Sequence, residues 1–387
     1  MNSKKIKRPF IDFYNKYDII PTSNKSNLNR QIFSRNFLYT NLGVPLKFFK
    51  DKRIIEFGPG GGWNAISTSF YKPREYCFVD ASKKSIKEIK KKIKNKKIKA
   101  LKTSIINKDI LNLKTSKKFE IAIAEGIVPN QKYPKKMLKI ISSHLEKNGI
   151  LIISLQTGIS LLSEFCRRIL IIKTFNDYNS FNDQLRNAVD IYKLHLKTLK
   201  FSTRPINDWV LDVVFNEQTE KNKVIFGSDD AIRFLNKNMD IYNSFPKFFY
   251  DGRWYKSVIT SNNSNNKLFL DQYYKFSINF IDYREKFERQ SLSKNKAQEI
   301  EKICSKVCIL QNKMIKQRSY KEIDEFIKLL ITISSKLPNN FKNTKECIHE
   351  FTVDIKKYIK GTKPKNLFRK FRYWWGRGAQ YTSYIKK

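Results

Sequence analysis

The sequence is short of acidic residues, histidines and long apolar runs. Its 35 Asp+Glu stand against 77 Lys+Arg, a formal net charge of +42 over 387 residues. Three histidines leave little for a zinc site. The five cysteines (Cys77, Cys166, Cys304, Cys308 and Cys347) have an odd count and no disulfide-framework or metal-knuckle spacing. No metal is expected, and a reducing cytoplasmic setting is. The basic stretch Met1 to Pro9 is followed by no apolar segment, so it does not read as a secretory signal. The longest apolar stretch, Gly149 to Ile172, is broken by Gln156, Glu164, Arg167 and Arg168. It divides into a strand and an amphipathic helix and does not predict a membrane span.

What is present suffices for a packed core: 41% of residues are hydrophobic and 14% aromatic. At roughly 100–200 residues per domain, about two or three units are expected. The positive charge has two readings. It draws polyanions such as nucleic acid, anionic lipid or phosphorylated substrates. Alternatively, it records an AT-rich genome, because only 17 of the 77 basic residues are Arg and the chain is rich in Asn and Ile as well as Lys. Dedicated nucleic-acid surfaces lean on Arg for bidentate contacts. Codon bias does not by itself explain the low Glu content.

Residues 1–50 read as a helical lead, with Asn27 to Leu42 as a helix ending at Gly43. From Lys52 strands alternate with helices. Strands are expected at Arg53–Phe57, Tyr76–Val79, within Ile98–Ile106, at Phe119–Ala124 and at Ile150–Leu155. Helices are expected at Trp63–Tyr71, at Lys84–Lys94 with a lysine-covered outer face, and at Tyr133–Glu146 with an Asn148-Gly149 cap. This alternation predicts βαβ units and a buried parallel sheet. It stops after Gln156. Helices follow at 159–172, 181–199 and 229–235, with strands near 223–226 and 240–245. Ser261 to Asn266 reads as a linker, and residues 268–360 read as mainly helical.

The residues that carry chemistry begin at Glu56-Phe57-Gly58-Pro59-Gly60-Gly61-Gly62-Trp63. An apolar strand runs into a turn with Gly at 58, 60 and 62, which lets a ligand lie against bare backbone. The dinucleotide fingerprint fails, because its third Gly would fall on Trp63. No Gly-Lys-Ser/Thr ending makes a P-loop. The carboxylate of Glu56, two positions before the first Gly, would repel a pyrophosphate but would suit a ligand bearing an ammonium and a sulfonium.

In these residues the chain resembles the class I SAM-dependent methyltransferase family over about residues 50–156. The resemblance implies an α/β fold: a Rossmann-like SAM-methyltransferase sheet with an N-terminal helical lead and a large, mainly helical C-terminal portion. It implies S-adenosyl-L-methionine (SAM) as cofactor. In it, Gly58, Gly60 and Gly62 shape the cofactor bed and Glu56 helps hold the amino-acid end. Asp80 accepts both ribose hydroxyls, and Asp109 faces the adenine amino group with Ile110 beside the ring. Glu125, with Gly126, lines the methionine and substrate side. The flanks at Phe13-Tyr14, at Ile19-Ile20-Pro21 and at Gly126–Gln131 are similar to bacterial methyltransferases linked to cell-surface polysaccharide.

The division expected is a helical lead (1–50), a SAM-binding Rossmann-like core (51–157), a helical and mixed substrate-side region (158–260) and a mainly helical C-terminal region with a basic aromatic tail (261–387). No catalytic residue is assigned. His195 and Asp208 are the candidates, each set against a packing role, and Asp208 belongs to a cluster with Trp209 and Asp212. Trp63 either walls the pocket or packs. The Asn/Asp-Pro-Pro-Tyr/Phe motif of many base-nitrogen methyltransferases is absent after the fourth strand, where Ala124-Glu125-Gly126-Ile127 stands, and there is no Pro-Cys nucleophile. The expected activity is therefore methyl transfer to a small molecule or glycan, an O-methylation. Two alternatives stand beside it: an RNA methyltransferase, and a non-catalytic SAM-fold binding protein. The tail from Phe368 to Lys387 mixes Arg with Tyr and Trp. It suits stacking on nucleic acid or sugar rings, or docking on the body of the protein. Oligomeric state is not predicted.

Overall fold

The computed structural model describes residues 9–17, 20, 27–129, 131–199, 204–216, 225–247, 254, 256, 265–285 and 291–387. The chain divides into two compact units. The first comprises Met1–Ile153, Thr203–Glu220 and Ser383–Lys387, and the second Ser154–Ser202 and Lys221–Thr382.

The first unit opens with α1 (Pro9–Tyr17) and α2 (Leu28–Asn41), matching the expected helical lead. Asn27 caps α2 by accepting the Asn29 N–H at 2.8 Å, and Gly43 follows at φ +75°. Then β1 (Arg53–Phe57), α3 (Trp63–Thr68), β2 (Glu75–Val79), α4 (Lys83–Lys94), β3 (Lys102–Ile106), β4 (Phe119–Ala124), α5 (Pro134–Ser143) and β5 (Leu145–Leu155) alternate as predicted. Strands β1, β2 and β4 are almost wholly buried, as continuous apolar runs covered on both faces should be. Pairing is parallel, and the register aligns the strand tips. Phe57 lies opposite Val79, and Val79 opposite Ile106. On the other side of β1, Glu56 lies opposite Ile123.

One boundary is corrected. Helix α5 stops at Ser143, short of the expected Glu146, and β5 begins at Leu145 instead of Ile150. The reason is pairing: Phe119 N–H donates to His144 O at 2.8 Å, and Leu145 lies opposite Phe119, so the ladder takes residues that local propensity would give to the helix.

In the second unit lie α6 (Gly158–Arg168), α7 (Ile171–Asp177) and α8 (Phe181–Leu196). After them α9 (Ile206–Trp209) runs into a π-helical turn over Val210–Phe215, back in the first unit. The second unit continues with α10 (Ser228–Leu235), β6 (Met239–Phe245), α11 (Asn265–Phe276), α12 (Lys294–Gln317), α13 (Ile323–Lys336) and α14 (Lys342–Ile359). Strand β7 (Gln380–Lys386) is the last described element, and the strands of the first unit run in the order β3-β2-β1-β4-β5. The expected linker at 261–266 lies outside the described residues, except for Asn265 and Asn266 at the head of α11. The first half of the strand expected at 223–226 also lies outside them.

The basic aromatic tail as far as Thr382 belongs to the second unit and packs there. Phe371, Trp374 and Trp375 are buried. Buried Arg167 of α6 donates to the carbonyls of Phe371 and Trp374, and its guanidinium stacks 3.6 Å from the Trp375 ring centroid. Arg377 in turn donates to the carbonyls of Asp282 at 2.7 Å and Glu285 at 2.7 Å. Arg372, Arg377 and both tryptophans of the tail, which made it a candidate ligand platform, are spent on packing.

Candidate functional site

In an open parallel sheet the ligand crevice lies beyond the carboxyl ends of the strands, where the strand order reverses. Here the order reverses at β1, between β2 and β4. The glycine turn sits at the tip of β1. Gly58, Gly60 and Gly62 all have positive φ, at +62°, +56° and +71°. Gly58 N–H donates to Val79 O at 2.8 Å, and a side chain at Gly58 would collide with Ile127. A Cβ on Gly62 would stand 3.1 Å from Ile89 Cγ1. Only glycine makes this turn without strain. Trp63 follows, with its Nε1–H buried and lacking a hydrogen-bond partner among the described residues.

Around the turn the strand tips bring carboxylates together. Glu56 is the penultimate residue of β1, Asp80 follows β2, Asp109 stands three residues beyond β3, and Glu125 follows β4. Register puts all four at one end of the sheet. Glu56 is buried and accepts a hydrogen bond from the Tyr76 hydroxyl. Burial pushes its carboxyl up to about 7. The Tyr76 bond and Arg35 pull against that shift, while the nearby negative charges of Glu125 and Asp80 add to it. Asp80 is pushed up to about 6, again by burial, against the N–H groups of Ser82, Gly60 and Ala81. Its Oδ1 accepts the Ser82 N–H at 2.8 Å. Asp109 Oδ1 accepts the Leu111 N–H at 2.9 Å, heading a 3₁₀ turn over Ile110–Asn112 that buries Ile110.

Glu125 is held by residues the sequence did not single out. Arg35 of α2 grips it bidentately, Nη1 to Oε2 at 2.9 Å and Nη2 to Oε1 at 2.6 Å. The Tyr39 hydroxyl donates to Oε1 at 2.9 Å, and Asn64 Nδ2 donates to Oε2 at 3.2 Å. Asn64 is itself held by Gln31 at 2.9 Å. Arg35 and Tyr39 are four apart on one buried helical face, which was the one available signal. Glu56 thus feels the charges of two other carboxylates, Glu125 and Asp80, and of one guanidinium, Arg35.

The remaining candidates lie elsewhere. His195 is buried in the second unit against Phe368 and Phe371, and desolvation lowers its pKa well below the ordinary value. Asp208 is half-buried on α9 in the first unit. Its neighbour Asp212, on the π-helical turn, accepts the Tyr14 hydroxyl at 2.6 Å and pairs with Arg204 at 2.8 Å. Burial and Asp212 together raise the Tyr14 phenol far above its usual range.

A small cation carrying several hydrogen-bond donors fits the end of the sheet. Side-chain-free backbone lies next to Glu56 and Asp80, carboxylates whose ionised forms burial disfavours, and SAM has that chemistry. Among the described residues no group of His, Cys, Asp and Glu is arranged to hold a metal, and no helix is long and apolar enough to cross a membrane.

Residues 28–186 match the family model described as a methyltransferase domain. Among curated proteins no sequence matches. The solved structures it resembles include PKMT2 from Rickettsia typhi in complex with AdoHcy (20% identity, 70% of this chain and 53% of that one, TM-score 0.43). Another is the N-methyltransferase NodS from Bradyrhizobium japonicum WM9 with SAH (12% identity, 38% of this chain and 74% of that one, TM-score 0.31). A third is magnesium protoporphyrin IX methyltransferase from Synechocystis PCC 6803 with SAH (16% identity, 40% and 74%, TM-score 0.31). The chain spans about half the length of the Rickettsia typhi protein it matches.

Proposed function

We propose that this chain, whose residues 28–186 form a class I SAM-dependent methyltransferase domain, transfers a methyl group from SAM to a hydroxyl of a small molecule or glycan. The observation that carries the reading is the acidic end of the sheet: Glu56, Asp80 and Glu125 with the single guanidinium of Arg35, in a protein of net charge +42. Such a rim accepts hydrogen bonds from hydroxyls and repels the phosphates of a nucleic-acid acceptor.

In this assignment Gly58, Gly60 and Gly62 form the cofactor bed, and Glu56 with Tyr76 holds the amino end. Asp80 takes the ribose hydroxyls, two vicinal donors on one carboxylate. Asp109 and Ile110 hold the adenine, and Glu125, fixed by Arg35, borders the reacting side. When bound, SAM supplies a methyl group already activated by the sulfonium. The protein's own part is orientation and exclusion of water. A bidentate arginine suits that part, because Glu125 cannot swing without breaking two charged hydrogen bonds at once.

The test is transfer of labelled methyl from SAM to extracted glycans and small hydroxylated acceptors, run beside RNA. Label in an ether-linked, base-stable product of the glycan or small-molecule fraction is expected. Label in RNA alone would overturn the acceptor class. SAM binding without turnover on any acceptor would leave a non-catalytic binding protein.

A further inference from the structure

The other end of the same parallel strands carries a different surface. Phe48 is 44% exposed, Phe70 43% and Leu101 71%. They sit on segments that lead into β1, β2 and β3, so they gather at the strand starts while the carboxylates gather at the strand ends. The 3₁₀ turns Leu46–Phe49 and Ser69–Tyr71 pack on each other. Lys99 N–H donates to Ser69 Oγ at 3.1 Å, and Leu101 N–H donates to Pro73 O at 3.0 Å, tying the three into one patch.

Lysines ring it. Lys99 Nζ lies 5.6 Å from the Phe70 ring centroid, and Lys52 Nζ lies 5.4 Å from that of Phe48. Lys102, which follows Leu101, is exposed, as is Lys97 in the segment leading to it. Acids offset the Phe48 side: Lys52 pairs with Glu120, which Arg74 shares, and Asp51 beside it is exposed, while Glu75 is buried and taken by Lys117. The excess of positive charge lies around Phe70 and Leu101, at Lys97, Lys99 and Lys102.

We propose that this rim docks on the headgroup layer of an anionic lipid bilayer. Phe70 and Leu101 would enter the interface and the surrounding lysines would meet lipid phosphates. The exposed leucine decides between polyanions. A phosphate backbone gives an aliphatic side chain no seat, whereas a bilayer takes apolar side chains and lysine charges together. Lysines with long apolar stems also suit a diffuse layer of phosphates better than the bidentate readout that nucleic acid asks of arginine. Docked this way, the carboxylate end of the sheet points away from the lipid.

Co-sedimentation of the full chain with vesicles tests it, using phosphatidylglycerol mixed with phosphatidylcholine against phosphatidylcholine alone. Binding to the anionic vesicles only is expected. Phe70→Ser with Leu101→Ser, which leaves the charge unchanged, should weaken it by about tenfold. Leu101→Ser alone, at the most exposed position, should weaken it by about threefold with no change in thermal unfolding. Lys302→Ser with Lys306→Ser removes two exposed charges from α12 and should change it by less than about twofold. Equal loss from the α12 pair, no loss from the serine pair, or equal binding to neutral vesicles would overturn the proposal. So would tight RNA binding that ignores Phe70 and Leu101 while vesicles go unbound.

Discussion

The two units bury arginine in opposite ways. In the first, Arg35 faces the carboxylate of Glu125. In the second, Arg167 faces backbone carbonyls and the rings of Phe371 and Trp375, with no carboxylate in its hydrogen-bond set. Burial lowers Arg167 to about 10, which leaves it charged at neutral pH. One arginine positions a functional carboxylate, and the other staples a chain end. The sharpest way to break this comparison is to remove each. Arg35→Leu strands Glu125 in a buried site and should destabilise by about 3–5 kcal/mol, and adding Glu125→Leu should restore much of that. Arg167→Leu should cost about 2–4 kcal/mol through unsatisfied carbonyls, and no second side-chain change can restore it. Urea unfolding of the three variants measures both. No recovery of stability on adding Glu125→Leu to Arg35→Leu would erase the distinction.

A smaller effect separates ligand-facing acids from structural ones. Asp80→Ala should weaken SAM binding by about 1–3 kcal/mol, the scale for hydrogen bonds to a charged acceptor. Asp183→Ala removes a surface acid that pairs only with Ser180 and Arg186, and it should leave SAM affinity unchanged. Calorimetric titration reads the difference. Unchanged affinity in the Asp80 variant would refute the ribose assignment.

The sequence made one half of the site legible. Strand tips follow from apolar runs broken by glycine or acid, and parallel pairing then places Glu56, Asp80 and Glu125 at one end without further information. The other half comes from afar. Arg35 reaches Glu125 across 90 positions, and Tyr14 reaches Asp212 across 198. No local pattern tells a buried arginine whether it will meet a carboxylate or a carbonyl. The same gap explains the tail. Trp374 and Trp375 have the composition of a stacking platform, and only the fold shows that Arg167 stacks on the Trp375 ring while the Trp374 indole donates to the Ile281 carbonyl. Helix α5 also lost its last turn to a strand partner that periodicity cannot see.

The finest test of the contrast is pH. Glu56 has a folded-state value near 7, raised by burial from an ordinary value of 4.5. Because the folded, ligand-free state holds this proton more tightly than the unfolded chain does, the contribution of Glu56 to stability is most favourable below pH 4.5. It declines as pH rises towards 7. Binding of a cation runs the other way, since it needs the ionised carboxylate. SAM affinity should therefore rise by about tenfold between pH 6 and pH 8, or about 1.4 kcal/mol. Below pH 6 the slope should steepen as Asp80, near 6, takes up its own proton. Glu56→Gln keeps the shape but removes the proton, so it should flatten the profile above pH 6 and abolish the matching decline in ligand-free stability. The groups that set the shift, Tyr76, Glu125, Arg35 and Asp80, all remain in that variant. If Glu56→Gln kept the full slope, the titrating group would lie elsewhere, and the buried acids of the first unit would be structural after all.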